Sequence, residues 1–247
     1  MSDITSHPAK TIAHPRITQM TIYPSFSAHL ATLALCAATA MTCQAQTVKA
    51  SDTSAVDLDA RLAQAQADPK LAQTLFNTGA KVATFCANCH GAAGNSTTPT
   101  TPNLAAQRPT FLLLQIRKFA DGSRRNDFME GMIKALNSDE KVGLALYFSA
   151  QTLPTRPASN PALAAIGKDL FSKNCFRCHG DNGLGSDKFA RIAGQQPEYL
   201  KLTLQRYKDG GGIRMDPLMA ANTRLLSNAD MDAVVAYVSS LSANPQH

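Results

Sequence analysis

The sequence has no tryptophan, and aromatic side chains make up only 6% of its 247 residues. With so few large side chains, a domain of about 80 residues has a thin hydrophobic core of its own. Excess charge is also small, because 24 basic and 18 acidic residues leave a formal net charge of +6. The basic residues are scattered rather than gathered in a tract, which argues against nucleic-acid binding. This pattern favours a solvated surface over a weak docking face for an acidic partner.

Cysteine is scarce as well, and its positions are informative. Two of the six cysteines lie in the first 45 residues, and the other four belong to two pentapeptides, Cys86–His90 (CANCH) and Cys175–His179 (CFRCH). The pattern C-x-x-C-H is the attachment site of a c-type haem, in which two thiols add to the haem vinyl groups and the adjacent imidazole binds the iron. We therefore predict two covalently bound haem c groups. The predicted thioether residues are Cys86, Cys89, Cys175 and Cys178, and the predicted iron ligands are His90 and His179.

The two pentapeptides open matching segments of the chain. Cys86 and Cys175 are 89 residues apart, and Gln107 and Gln195 are 88 apart. A repeat of this length indicates a tandem duplication of one domain. We predict a first domain over residues 70–152 and a second over 162–243. The joint at 153–161 contains three prolines, which predicts a stiff, extended linker.

From Asp57 onward the apolar residues recur at helical spacing, with a break at Asp68-Pro69 before the first helix of the first repeat, and the second repeat has the same order of helices. Helix capping boxes are predicted at two places, where an N-cap residue is followed three positions later by an acidic residue. These pairs are Asn137 with Glu140 and Ser227 with Asp230. Gly-rich loops follow both pentapeptides, and we expect a further loop around the methionines that precede each last helix. The sequence therefore predicts an all-α fold of two tandem small helical domains.

Residues 1–45 have the composition of an export signal. A weakly basic start precedes an uncharged, Ala/Leu-rich run, and Cys43-Gln44-Ala45 places small residues where a signal peptidase cleaves. We predict cleavage after Ala45, which leaves residues 46–69 as an N-terminal extension. Covalent haem attachment by the usual bacterial machinery occurs outside the cytoplasm, so the predicted location is the periplasm. The alternatives are a start at Met20, and a retained segment or a lipid on Cys43 that would hold the protein peripherally on the membrane.

The second axial ligand decides whether a haem iron is open to reactants or closed. Histidine cannot close both irons, because outside the first 45 residues the only one besides His90 and His179 is the C-terminal His247. Methionine, a soft ligand suited to iron, is the alternative. The methionines that lie in the two repeats are Met129, Met132, Met215, Met219 and Met231.

Alignment of the two repeats distinguishes these methionines. Only Met129 and Met219 occupy equivalent positions, 90 residues apart and each seven residues before a leucine. We predict Met129 and Met219 as axial iron ligands, with Met132 as the rival of Met129. The competing interpretation is that these methionines only fill the core.

Two other pairs of residues recur. Gln107 and Gln195 could hydrogen-bond a haem propionate or a backbone turn, or could simply begin a helix. Tyr147 and Tyr237, which are 90 apart, are expected to pack against the first helix of their own repeat.

These features resemble class I cytochromes c, and the tandem arrangement resembles the cytochrome c4 family of dihaem electron carriers. The C-x-x-C-H-G motifs, Leu104–Gln107, Ile192–Gln195 and the two methionines carry the resemblance, which covers about residues 70–243. It implies two small helical bundles, each wrapped round one haem, with the haem edges approaching each other across the domain interface. One departure is Ala190, where the family usually has proline as at Pro102, and it raises the question whether His179 is held in the same way as His90.

The leading hypothesis is therefore a periplasmic electron carrier between respiratory or dehydrogenase donors and a terminal acceptor such as an oxidase. Its expected partners are redox proteins: a terminal oxidase, a quinol-oxidising complex or a dehydrogenase. We predict no catalytic residues, because two closed irons cannot bind a substrate and no separate acid–base or nucleophile set is present. The alternative is a dihaem cytochrome subunit of a periplasmic oxidoreductase complex. A zinc-binding module is a third hypothesis, but each C-x-x-C-H would need a fourth ligand and no further cysteine is available.

Overall fold

A computed structural model describes residues 57–244, and the predicted signal peptide and the beginning of the extension lie outside these residues. The regular elements within this range are all helices, as predicted. We call residues 57–152 the first half and residues 161–244 the second half. The first half has five α-helices and a short 3-10 helix (Ala92–Gly94). The α-helices are α1 (Leu58–Ala67), α2 (Pro69–His90), α3 (Pro109–Ala120), α4 (Asp127–Ala135) and α5 (Ser138–Ser149). Those of the second half are α6 (Pro161–Asn174), α7 (Phe176–His179), α8 (Pro197–Asp209), α9 (Pro217–Arg224) and α10 (Asn228–Ser240).

Local sequence signals explain most helix ends. Asp68 ends α1 and also caps α2, where its side chain accepts from the backbone of Lys70 and Leu71. Both predicted capping boxes are present, at Asn137 for α5 and at Ser227 for α10. Such caps satisfy backbone N–H groups that have no partner inside the helix.

The predicted methionine loops are instead short helices, α4 and α9. Each begins at an equivalent cap, Asn126 in the first half and Asp216 in the second. Helices of this length are marginal by themselves. They form here because they pack against the rest of their half, for example through Ile133, which is buried in the core of the first half.

In each half, the helix that leads into the pentapeptide crosses the last helix of that half at close range. A Cβ atom added to Gly79 of α2 would lie 2.0 Å from the carbonyl oxygen of Gly143 in α5. A Cβ atom added to Gly167 of α6 would lie 1.9 Å from the carbonyl oxygen of Ala233 in α10. Only glycine allows two helix backbones to approach this closely.

The paired tyrosines stabilise these crossings, as predicted. Tyr147 packs on Phe76 and Tyr237 packs on Phe171, with ring centroids 5.5 Å apart in both cases. Contacts of this kind between aromatic rings add to the apolar area that they bury.

Helix α1, inside the predicted extension, packs on the first half. Its Leu62 and Ala65 are buried in the core cluster of that half. Arg61 donates two hydrogen bonds to the Asp139 carboxylate, at 2.8 and 3.0 Å, and so ties α1 to the start of α5. No helix of residues 57–244 combines the length and the apolarity needed to cross a membrane.

Residues 153–158 join the halves without regular structure, and Pro161 begins α6. Leu153 is buried with Ala105 and Ala243 in a small cluster. Its backbone N–H donates to the side chain of Asn244, whose amide donates back to the Leu153 carbonyl. The start of the linker is therefore attached to the segment that follows α10. The exact domain boundaries stay a prediction.

Candidate haem-binding site

One continuous cavity of about 990 Å³ is lined by residues of both halves. The structure brings all of the residues singled out by the two pentapeptides and the methionine register to its wall. They are Cys86, Cys89, His90, Met129, Cys175, Cys178, His179 and Met219.

The two histidines are held alike. His90 ends α2 and its Nδ1 lies 3.0 Å from the carbonyl oxygen of Pro102, and His179 ends α7 with its Nδ1 2.9 Å from that of Ala190. Because a carbonyl can only accept, Nδ1 carries the proton and Nε2 keeps its lone pair. The replacement of proline by Ala190 therefore does not change how His179 is oriented.

Burial favours the uncharged form of both imidazoles. It lowers the pKa of His90 and of His179 below the ordinary value, although the hydrogen bonds to Pro102 and Ala190 act in the opposite direction. A neutral imidazole with Nε2 unprotonated is the form that binds a metal.

The four cysteines line the cavity, and none of them is fully buried. Cys89 is exposed, and Cys86, Cys175 and Cys178 are half-buried. Burial raises the pKa of the Cys175 thiol to about 11 and also raises that of Cys86. Both groups are therefore thiols, not thiolates, at neutral pH.

The two predicted methionines have equivalent local settings. The Met129 N–H donates to the Asn126 side chain at 2.9 Å, and the Met219 N–H donates to the Asp216 side chain at 3.1 Å. Each residue therefore occupies the same place in the first turn of its helix. Met132 also lines the cavity, whereas Met215 is 59% exposed and Met231 is buried in the core at 1% exposure.

Sequence reasoning missed a cluster of arginines and tyrosines on the cavity wall. Arg124 and Arg214 form the β-bridge that joins the two halves. Both donate to the hydroxyl of Tyr199, at 3.0 and 2.7 Å, and Arg214 also donates to Tyr207 at 2.6 Å. Arg124 further stacks on Phe119, 4.4 Å from the ring centroid. The two arginines are 90 residues apart, so the repeat register could have revealed them.

This cluster is rich in positive charge. Burial lowers the pKa of Arg124 to about 10, which still leaves it charged at neutral pH. Burial raises the pKa of Tyr199, but Arg124 and Arg214 outweigh it and bring that pKa down to about 7. Among residues 57–244, neither arginine forms an ion pair with a carboxylate.

A third arginine, Arg191, is almost completely buried at 1% exposure. Its guanidinium donates to the carbonyl oxygens of Ala105, at 2.9 Å, and of Ala193. Its Nε is a buried donor without a partner in residues 57–244. Three cavity-lining arginines without carboxylate partners fit a bound group that carries carboxylates.

Comparison with known proteins agrees with this geometry. The cytochrome c family model matches residues 164–242. Cytochrome c4 of Thiocapsa roseopersicina is 34% identical over 178 residues, which are 66% of this chain and 90% of that protein. A thiosulfate dehydrogenase electron acceptor of Thiomonas intermedia is 33% identical over 177 residues, 66% of this chain and 81% of that protein. The crystal structure of reduced recombinant cytochrome c4 from Pseudomonas stutzeri aligns with a TM-score of 0.61 and 32% identity, over 67% of this chain and 97% of that one.

The chain belongs to the dihaem cytochrome c4 family. As a cytochrome c4, it has an all-α fold of two cytochrome domains, carries two covalently bound haem c groups and transfers electrons rather than acting as an enzyme. These parts of the prediction are confirmed.

The residues present in this cytochrome c4 fit that cofactor. A haem c needs two thiols, a neutral imidazole, an apolar slot and counter-charges for its propionates. The cavity offers two such sets of thiols and imidazole, and the arginines of both halves supply cationic donors for carboxylates.

Proposed function

We propose that this cytochrome c4 is a periplasmic carrier that passes electrons from respiratory or dehydrogenase donors to a terminal acceptor such as an oxidase. The observation that carries the proposal is the arrangement of both pentapeptides and both equivalent methionines on one cavity that spans the two halves. Two redox centres in a shared cavity suit the transfer of electrons through the protein.

The proposal assigns a role to each site residue. Cys86 and Cys89 would hold the haem of the first half, and Cys175 and Cys178 that of the second, as thioethers. His90 and His179 would bind the iron through Nε2, because Nδ1 faces a backbone carbonyl. Met129 and Met219 would be the further ligands of the two irons, one in each half. When bound, each haem supplies a one-electron redox couple, and a Met/His ligand pair raises its potential.

The polypeptide would contribute orientation and electrostatics. The carbonyls of Pro102 and Ala190 would fix the imidazole planes, a role that hydrogen-bonded neighbours of metal ligands commonly have. Arg124, Arg191 and Arg214 would bind propionates and shield them from the low-dielectric interior, where an unpaired charge is costly.

A second candidate function is an electron-accepting subunit of a periplasmic oxidoreductase complex. The name of the Thiomonas relative, thiosulfate dehydrogenase electron acceptor, favours it. The two functions differ in partner rather than in chemistry. Co-purification of a catalytic chain with the protein expressed in its own host would support the subunit, and purification as a free protein would support the carrier.

Replacing the two methionines proposed as iron ligands tests the assignment. We expect Met129→Ala and Met219→Ala each to convert one of the two haems to a high-spin form that binds carbon monoxide, with loss of half of the weak far-red band of methionine-ligated ferric haem. Optical spectra and carbon monoxide titration of the purified holoprotein measure this outcome.

Matched controls are available in both halves. Met132→Leu changes the rival methionine on the same cavity, and Met215→Leu changes an exposed methionine close to Met219 in the sequence. Both should keep two low-spin haems. Carbon monoxide binding by Met132→Leu but not by Met129→Ala would move the ligand assignment in the first half to Met132.

A further inference from the structure

The two recurrent glutamines bind across the domain interface. The Gln195 side-chain amide donates to the carbonyl of Asn103 at 3.0 Å and accepts from the Asn103 N–H at 2.7 Å. The Gln107 side chain makes the same pair with Arg191, both bonds being 2.9 Å long. Each glutamine is only 5% exposed. Each half therefore uses its glutamine to hold one backbone position of the other half.

These backbone positions are next to the carbonyls that orient the histidines. The Asn103 N–H and the Pro102 C=O belong to one planar peptide unit, as do the Arg191 N–H and the Ala190 C=O. The N–H end of each unit therefore donates to a glutamine of the other half, while its C=O end accepts from a histidine of its own half.

Such an arrangement links two hydrogen bonds through one amide. A peptide that donates at its N–H becomes a better acceptor at its C=O, because hydrogen bonds in a chain polarise one another. When the carbonyl accepts more strongly from the Nδ1–H group, the imidazole ring gains electron density. Its Nε2 atom is then a more basic ligand for a metal. A more basic imidazole stabilises ferric over ferrous iron and so lowers the reduction potential.

We infer that Gln107 and Gln195 are crossed positioning residues: Gln195 tunes the haem bound by His90, and Gln107 tunes the haem bound by His179. The inference rests on the proposed role of these histidines as iron ligands. It makes the domain interface, and not only each haem pocket, a determinant of both potentials.

A local role is the competing explanation. The side-chain oxygen of Gln107 also accepts from the N–H of Arg108, and that of Gln195 accepts from the N–H of Gln196, each at the entry of the following helix. If that contact were the important one, a substitution would affect the haem of its own half. The two explanations therefore predict effects on different haems.

The test uses Gln195→Met and Gln107→Met in the haem-loaded protein, because methionine keeps the side-chain volume and removes both hydrogen bonds. A redox titration followed by NMR resolves the haems, since the two C-x-x-C-H segments differ in sequence and can be assigned separately. For Gln195→Met we expect the reduction equilibrium of the His90 haem to shift at least about threefold toward the ferrous form. This corresponds to a reduction potential that is higher by about 28 mV, at 59 mV per tenfold change. The His179 haem should shift less. Gln107→Met should give the reverse.

Two further measurements keep the outcome decisive. The Nδ1–H proton of the affected histidine in the reduced protein should exchange with solvent faster, and its NMR signal should move upfield, because its hydrogen bond to the backbone carbonyl is weaker. Gln151→Met is the matched control, because Gln151 donates within its own half to Tyr147 at 2.8 Å. A shift of the same-half haem, or equal shifts of both, would overturn the crossed assignment. Absence of two low-spin haems in the unchanged protein would instead contradict the proposed function itself.

Discussion

The two halves of the molecule reach the same histidine geometry by different local structures. In the first half, α2 runs without interruption through the pentapeptide to His90. In the second, α6 ends at Asn174 and a separate single turn, α7, carries His179, with Cys175 between them. The Nδ1-to-carbonyl distances nevertheless differ by only 0.1 Å, being 3.0 and 2.9 Å. The carbonyl on the facing loop, rather than an unbroken helix, therefore sets the imidazole orientation.

The halves also differ in how they are stabilised. The first half has an additional helix, α1, and a core cluster that includes Leu62, Ala65 and eleven other buried apolar residues. The core cluster of the second half has five buried members. Because burial of apolar area is the main stabilising contribution, we expect the second half to depend more on its haem and on the interface.

The largest expected difference concerns α1. Leu62→Ala removes a side chain that is 2% exposed, and we expect it to lower the free energy of unfolding of the first half by about 2–5 kcal/mol. Hydrogen exchange measured by NMR separates the halves, and the amides of the second half should be unaffected. Ile166→Ala, at an exposed position of α6, is the control. Equal loss of protection in both halves would show that α1 stabilises the whole molecule.

The next largest effect on stability is expected at the crossing of α2 and α5. Gly143 and Ala233 occupy equivalent positions, 90 residues apart, yet a Cβ atom on Gly143 would lie 2.4 Å from the Leu75 carbonyl oxygen. Gly143→Ala should therefore destabilise the first half by about 1–3 kcal/mol, although alanine is present at that position of the second. Denaturant unfolding with half-specific NMR signals measures it.

The reverse change is the control for that prediction. Ala233→Gly introduces no close contact, and it should cost the second half about 1 kcal/mol for lost helix propensity and about 0.8 kcal/mol for the lost buried methyl group. A neutral Gly143→Ala would mean that the crossing of α2 and α5 can adjust to a Cβ atom at this position, as the crossing of α6 and α10 does at Ala233.

The second half contributes tyrosines to the cluster around Arg124 and Arg214, whereas the first half has phenylalanines at the equivalent positions. Tyr199 and Tyr207 stand where the first half has Phe111 and Phe119, 88 residues earlier. Tyr199→Phe removes the hydroxyl that accepts from both Arg124 and Arg214, and we expect a loss of about 1–2 kcal/mol in the free energy of unfolding. Thermal unfolding of the holoprotein measures it.

Tyr147→Phe is the control for the tyrosine prediction, because the ring contact with Phe76 is kept. We expect its effect to stay within about 0.5 kcal/mol. Equal effects of the two substitutions would argue that the shared hydroxyl contributes nothing to stability.

The smallest expected effect is on a single carboxyl. The Ser227 hydroxyl, and then its N–H, lower the pKa of Asp230 in the capping box of α10. The hydrogen bonds to the ionised Asp230 carboxylate stabilise the fold at pH values above the pKa that this carboxyl has in the unfolded chain. This stabilisation is lost as the pH falls through the lowered pKa of the folded protein. Ser227→Ala should raise the pKa of Asp230 toward its ordinary value, as followed by NMR of the carboxyl carbon. The pKa of Asp121, which is lowered by Ser123 in the first half, should not change.

Several features were predictable because they depend on residues that are close in sequence. The C-x-x-C-H motifs indicate haem attachment, and the capping boxes at Asn137 and Ser227 mark helix starts through neighbours three residues away. The repeat added long-range information, because equivalent residues must have equivalent settings. It paired Met129 with Met219 and could equally have paired Arg124 with Arg214.

Spacing along the chain was enough to predict the cofactor, the number of haems, the duplication and the helical class. It could not decide that the methionine segments are helices, because short helices depend on packing. Three features depend on how the helices and loops pack in three dimensions. Helix α1 packs on the first half, and the carbonyl of Ala190 holds His179 as that of Pro102 holds His90. Gln107 and Gln195 each bind the opposite half. The glutamine contacts join residues more than 80 positions apart, and a hydrogen bond across such a distance exists only once the two domains have docked.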